Sequence, residues 1–175
     1  MAIIIRDTTT KVTQLILVRE GLEVPGTNGT DTIANSKEVF SGSISADFKN
    51  WGINIPSKPT TPAKALVCKV GNGTYEMIFD LPGHDLDFLA WEQSQVVAFC
   101  RKHYGWLQGE RGLVPIFLFR VEDKGRKEFF VCRILFSGNN KNLCLCPHVN
   151  HFNHEYYWSS YYGLHVVLPQ LTLKS

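Results

Sequence analysis

Between Cys144 and Glu155 the chain runs Cys144-Leu-Cys146-Pro-His148-Val-Asn-His151-Phe-Asn-His154-Glu155, which places two thiols and three imidazoles within eleven residues. Thiolate and imidazole are the usual ligands of zinc, and four of them suffice for a tetrahedral site. Structural zinc motifs, however, draw ligand pairs from separated elements so that the ion closes a long loop. Here every candidate is local. Cys144 and Cys146 fall on one face of a predicted strand, where packing accounts for them. Imidazoles three residues apart fall loosely on one side of a helical turn, which makes His148, His151, His154 and Glu155 the candidate metal ligands. The chemistry would be zinc-dependent hydrolysis, including hydrolysis of nucleic acid. The competing expectation is a polar surface segment that needs no cofactor.

Directly downstream, Tyr156-Tyr157-Trp158-Ser159-Ser160-Tyr161-Tyr162 puts five large rings into seven residues. They cannot all point inwards. Aromatics with a polar handle concentrate where one end is buried and the other wet, as on contact surfaces. Tyr156, Tyr157, Trp158, Tyr161 and Tyr162 are therefore the candidate binding surface, against the alternative that the rings only cover a sheet edge.

Other pairings are better explained by packing. Cys100 and His103 lie one helical turn apart, but activated thiols sit at helix N-termini, and Cys100 falls late in its predicted helix on the apolar stripe. Glu122-Asp123-Lys124, with Asp80 as a third acid, has the residue types of a magnesium-dependent nuclease. The triplet runs into Gly125, a turn that would twist Lys124 away from its acids. Arg120, Lys124, Arg126, Lys127 and Arg133 surround one predicted hairpin, so nucleic acid is a possible partner. Interleaved Glu122, Asp123 and Glu128 reduce the local excess to two positive charges, and cross-strand ion pairing is the simpler account. No Gly-x-Ser-x-Gly elbow and no phosphate-binding G-x4-GK[ST] loop occurs.

The elements that must position these residues can be read from composition and pattern. At 175 residues, 44% hydrophobic, 12% aromatic and 19% charged, the chain suits one globular domain over 1–175. A net charge of +2, spread evenly between the halves, excludes a nucleic-acid arm or an acidic tail. Ala2–Ile5 is too short for a secretory core and no run has the length of a membrane span, so no membrane association and a cytoplasmic location are expected. Five scattered cysteines then read as reduced thiols. Strands are predicted at 12–19, 65–70, 113–121, 128–136, 143–146 and 164–168. Residues 21–62 form an irregular, loop-rich segment, with some strand expected within Glu38–Phe48. Asn72-Gly73 predicts a hairpin with Thr74–Asp80 as return strand, against a short helix capped by Thr74. Apolar spacing predicts one helix from about 89 to 107, with Val96, Cys100, His103 and Leu107 on its stripe. Asn139-Asn140-Lys141 is a further predicted turn. The fold class is α+β: a mainly antiparallel sheet with one principal amphipathic helix packed on one face.

The run Asp85-Leu-Asp87, Gln93-Ser-Gln95, Phe99, His103 and Trp106-Leu107, the apolar hairpin and Val166-Val167-Leu168-Pro169-Gln170-Leu171 resemble small uncharacterised bacterial proteins. The resemblance covers about residues 64–171 and consists of core and cap positions, so it implies a compact domain and no activity. Taken together, these features predict a non-catalytic binding protein whose partner is another protein. The alternative is a metal-dependent hydrolase or nuclease built on residues 148–155.

Overall fold

The computed structural model describes residues 13–110, 112–138 and 143–170. Val12 and the predicted turn at residues 139–141 lie outside them. The β-branched and apolar runs form strands, as expected, and six strands make one sheet. These are β1 (Leu15–Val24), β2 (Ala63–Val70), β3 (Val114–Asp123), β4 (Arg126–Ser137), β5 (Cys144–His151) and β6 (Leu164–Pro169). Their order is β1-β2-β6-β3-β4-β5, so the strand latest in sequence lies between the N-terminal pair and the β3–β5 meander. All neighbours are antiparallel except β3 and β6, which run parallel over Val114–Ile116. The sheet is therefore mixed. The β3–β4 turn needs only Lys124 and Gly125, at φ 49° and 80°, a two-residue turn whose twist matches its strands.

Helical structure departs from the single segment expected over 89–107. The chain instead forms α1 (Asp47–Asn50), α2 (Tyr75–Phe79), α3 (Leu86–Leu89), α4 (Gln93–Lys102) and α5 (Tyr104–Gly109). Glu92 and Gln95 form a reciprocal capping box that starts α4 afresh, and His103 caps its C-terminal end. The apolar stripe survives the break: Val96, Val97, Phe99, Cys100 and Leu107 pack with Phe117, Phe119 and Val167. The opposite face is also covered. There Tyr75, Ile78, Phe79, Leu89 and Trp158 pack with Ile116, Leu118, Val131 and Val166. The one principal helix expected over about 89–107 is thus corrected to a divided helical segment, and both sheet faces carry a core layer.

The chain changes face at Ala90–Trp91. Beyond Ile116, β6 no longer pairs with β3, and Trp91 takes the vacated ladder position. Its N–H donates to Leu118 O (2.9 Å), and Arg120 N–H donates to its carbonyl (3.1 Å). The indole Nε1 donates to Val167 O at 2.9 Å. Leu89 and Ala90 belong to one core and Trp91 to the other, so a single peptide threads the sheet. Arg120 holds this crossing, with Nε on Glu92 (2.7 Å) and Nη1 on Asp87 (3.3 Å). Lys127 reaches the same Asp87 at 2.8 Å. Burial alone would lower the Arg120 pKa, but Glu92 and Asp87 outweigh it and raise the value.

No strand forms within Glu38–Phe48. The irregular segment is ordered by side chains instead. Gln93, 1% exposed, donates through Nε2 to Ile53 O (2.7 Å) and accepts from Ile33 N–H (3.3 Å). Ser94 shares hydrogen bonds with Thr27 (2.7 Å) and Ser57 (3.1 Å). Buried side-chain amides and hydroxyls satisfy backbone groups that have no ladder partner. Ile33, Val39, Phe40, Phe48 and Ile53 then supply the segment's share of the core.

Candidate functional site

Side chains alternate across a strand, so Val131 and Arg133 of β4 face the second core, as do His148 and Asn150 of β5. Arg133 lies directly opposite His148 in the register. Its Nε donates to Asn150 Oδ1 at 3.2 Å, and the Tyr75 hydroxyl donates to the same oxygen at 3.3 Å. The guanidinium lies 4.5 Å over the ring of Trp158, within reach of a cation–π attraction.

Trp158 is fixed there by the dipeptide expected to turn a hairpin. Gly73 N–H donates to Trp158 O (3.0 Å) and Trp158 N–H to Gly73 O (2.8 Å). Asn72 Oδ1 accepts from Ser160 N–H at 2.7 Å. A Cβ at 73 would lie 2.2 Å from Thr13 Oγ1, so any larger residue would displace the Thr13 side chain. Freed from turning a strand, the chain enters α2 with Thr74 as N-cap, its hydroxyl accepting from Met77 N–H at 3.3 Å. The hairpin expectation is corrected: Asn72-Gly73 clamps the aromatic segment. Ser159 caps the 3-10 turn Ser160–Tyr162, and Gly163 closes it at φ 66°, where a Cβ would strike Gly112 O at 2.0 Å.

The rings assemble around Trp158. Tyr156, Tyr162 and Tyr75 lie 4.5, 5.4 and 5.5 Å from it, centroid to centroid, with Tyr162 edge-on at 84°. The Tyr156 and Tyr162 hydroxyls hydrogen-bond at 2.7 Å, which raises the Tyr156 phenol pKa. Burial pushes the Tyr75 phenol well up. Burial lowers the His148 imidazole, and the nearby charge of Arg133 lowers it further. Of the five predicted rings, Tyr156, Tyr157, Tyr161 and Tyr162 are exposed, Tyr161 at 98%, while Trp158 is only 6% exposed. Trp158 Nε1 is a buried donor with no partner among the described residues.

The candidate metal ligands are placed differently from the helical turn that their spacing suggested. β5 continues through His148 and His151, and residues an odd number apart on a strand point to opposite faces. His148 sits beside Arg133, whereas His151 stacks on Trp51 at 4.2 Å and lies 5.3 Å from Phe130. His154 follows the strand, its Nδ1 accepting from Tyr156 N–H at 3.1 Å, and Glu155 is exposed. Among the described residues, no three His, Cys, Asp or Glu side chains form a group that could hold a metal ion.

Cys100 is buried with its thiol pKa raised by desolvation, and His103 Nε2 meets Glu23 O at 2.8 Å. Cys68 is likewise pushed up, to about 11. Neither thiol offers a ready thiolate. Lys124 occupies the left-handed position of the β3–β4 turn, at φ 49°. Within the basic hairpin, Arg120 and Lys127 meet Asp87, and Arg126 meets Glu128 at 2.6 Å. Among the described residues, that leaves Lys124 and Arg133 of the five without a carboxylate.

No known family model matches this chain, and no curated protein or solved structure is significantly similar to it. The site therefore rests on its own geometry. Trp158 and Tyr162 were legible from composition. Arg133, Asn150, Tyr75 and the Asn72-Gly73 clamp were not, because they converge from separate elements and carry no spacing signal.

Proposed function

We propose that this protein is a non-catalytic binding protein whose contact surface is Tyr156, Tyr157, Tyr161 and Tyr162, seated on Trp158. The partner is another protein. The observation that carries the reading is the way the tyrosines are held: exposed rings on a turn tied down by Asn72, Gly73, Ser159 and Gly163. Large rings fixed before contact lose little conformational entropy on binding, which favours affinity. Among the described residues, four of the eight exposed large hydrophobic side chains belong to this one segment, a concentration expected of an interface. The buried thiols of Cys68, Cys100, Cys132 and Cys146 support a reducing, cytoplasmic setting. No helix among the described residues is long and apolar enough to cross a membrane.

The test compares capture by wild-type protein, by Tyr157→Ala/Tyr161→Ala, and by Ile16→Ser/Val18→Ser, which alters exposed positions on β1. A partner retained by wild type and the β1 control, but lost by the tyrosine variant at unchanged thermal midpoint, supports the surface. Stoichiometric zinc in the purified protein, lost in His151→Ala/His154→Ala, would overturn it in favour of a metal-dependent enzyme.

A further inference from the structure

The tyrosine surface has a charged floor, and the partners of that charge are unusual. Arg133 offers five N–H donors in a planar fork that matches the oxygens of a carboxylate or phosphate. Among the described residues its side-chain hydrogen-bond partners are the Asn150 amide oxygen, at Nε, and the Tyr75 hydroxyl, both neutral. No carboxylate pairs with it among the described residues. Its guanidinium rests on Trp158, whose own Nε1–H is buried and has no partner among the described residues. An unmade hydrogen bond at a buried donor is costly, and native structures rarely tolerate one without a reason. Two donors short of acceptors thus share one aromatic cluster. His148, opposite Arg133, completes the polar side of the site, and the charge of Arg133 is felt at Tyr75, His148 and Tyr156 alike.

We propose that Arg133, resting on Trp158 with Tyr156 and Tyr162 packed against that ring, is a binding site for an anionic group, a carboxylate or a phosphate, carried on an aromatic ring. The fork of Arg133 takes the oxygens, and the flanking tyrosines stack on the ring that bears them. This deepens the reading of the tyrosines as a contact surface and rests on it. Within that reading, the anion is the group by which the partner registers on the surface.

The experiment uses the full chain, uniformly ¹⁵N-labelled, with phenyl phosphate, benzoate and uncharged phenol as probes. The Trp158 indole N–H resonance is assigned by its disappearance in Trp158→Phe. Expected is a saturable shift of that resonance by phenyl phosphate, benzoate or both at concentrations up to about 10 mM, the regime of weak single-group binding. A response to phenyl phosphate alone assigns a phosphoryl group, and a response to benzoate alone assigns a carboxylate. Arg133→Gln should weaken binding at least roughly tenfold, as expected when a charge-assisted pair is lost. The Trp51, Trp91 and Trp106 resonances should stay in place. Should Arg133→Gln fail to fold, Arg133→Lys removes the fork but keeps the charge, and raising salt on wild-type protein weakens the same contact without mutation. Phenol binding as well as the anions, or affinity that ignores both Arg133 and salt, would overturn the proposal. Failure here with the tyrosine-dependent partner intact removes the anion site alone. Anion binding alongside a partner indifferent to Tyr157 and Tyr161 removes the contact surface alone.

Discussion

Arg120 and Arg133 stand on the same face of two adjacent central strands, yet the chain treats them in opposite ways. Arg120 is enclosed by Glu92 and Asp87, and Asp87 is shared with Lys127. Arg133 has the Asn150 amide, the Tyr75 hydroxyl and the face of Trp158 against it, and no carboxylate among the described residues. A charge neutralised by its own fold serves that fold. One held by aromatics and a neutral amide keeps its field for something else. The contrast separates two arginines that composition counts as equal.

The largest effect that would test this contrast is expected at Arg120. Glu92 is 15% exposed, and removing one partner of a largely buried pair strands the other. Arg120→Ala should lower the unfolding free energy by about 2–4 kcal/mol, read as a drop in the urea midpoint. An Arg120/Glu92 double-mutant cycle should return a coupling of about 1–3 kcal/mol. Coupling near zero would remove the structural half of the comparison.

Arg133→Gln should cost about 1–2 kcal/mol, since it loses neutral hydrogen-bond partners at Asn150 and Tyr75 and one cation–π contact. A loss as large as that of Arg120→Ala would show that both arginines are structural. Smaller still is the effect on His148. Burial and then Arg133 hold its imidazole below the ordinary value, so the folded protein binds a proton here less readily than the unfolded chain. The stability it contributes is present above the unfolded pKa and is lost as pH falls through the depressed folded value. In Arg133→Gln the burial remains and the charge is gone, so the His148 titration followed by NMR should move part of the way up. No movement would mean that the two groups do not sense each other.

Asp87 closes the series on the acid side. Lys127 first, and Arg120 with it, depress its carboxyl, so its contribution is present above the unfolded pKa and disappears as pH falls through the folded value. Asp87→Asn should flatten the acid limb of the stability profile, measured by urea midpoints between neutral pH and acid. An unchanged limb would count against the Lys127 and Arg120 contacts.

What could be read in advance follows from how local each cause is. β-Branched runs form strands from their own residues, so β2, β3, β4 and β6 were visible in the sequence. The helical stripe was visible too, but the restart at Glu92 was masked by apolar spacing that continues through it. The capping pair Glu92 and Gln95 was the available signal. Asn72-Gly73 followed a local rule overridden by distant pairing with Trp158. His148 and His151 have a spacing that fits a helix until the backbone is known to be extended. Residues 25–62 have no strand period because their partners, Gln93, Ser94 and isolated backbone bonds such as those to Leu145 and Pro147, lie far away in sequence.

The placement of β6 has a consequence for how the protein is made. β1 with β2, and β3 with β4 and β5, are each contiguous in the chain, but only β6 joins the two groups. During synthesis both halves emerge before the strand that unites them and must wait with open edges, a state exposed to wrong pairing. The full sheet depends on β6, whose pairing with β3 spans only three residues. Shortening the chain before Leu164 would therefore leave two incomplete sheets rather than a smaller version of the same one.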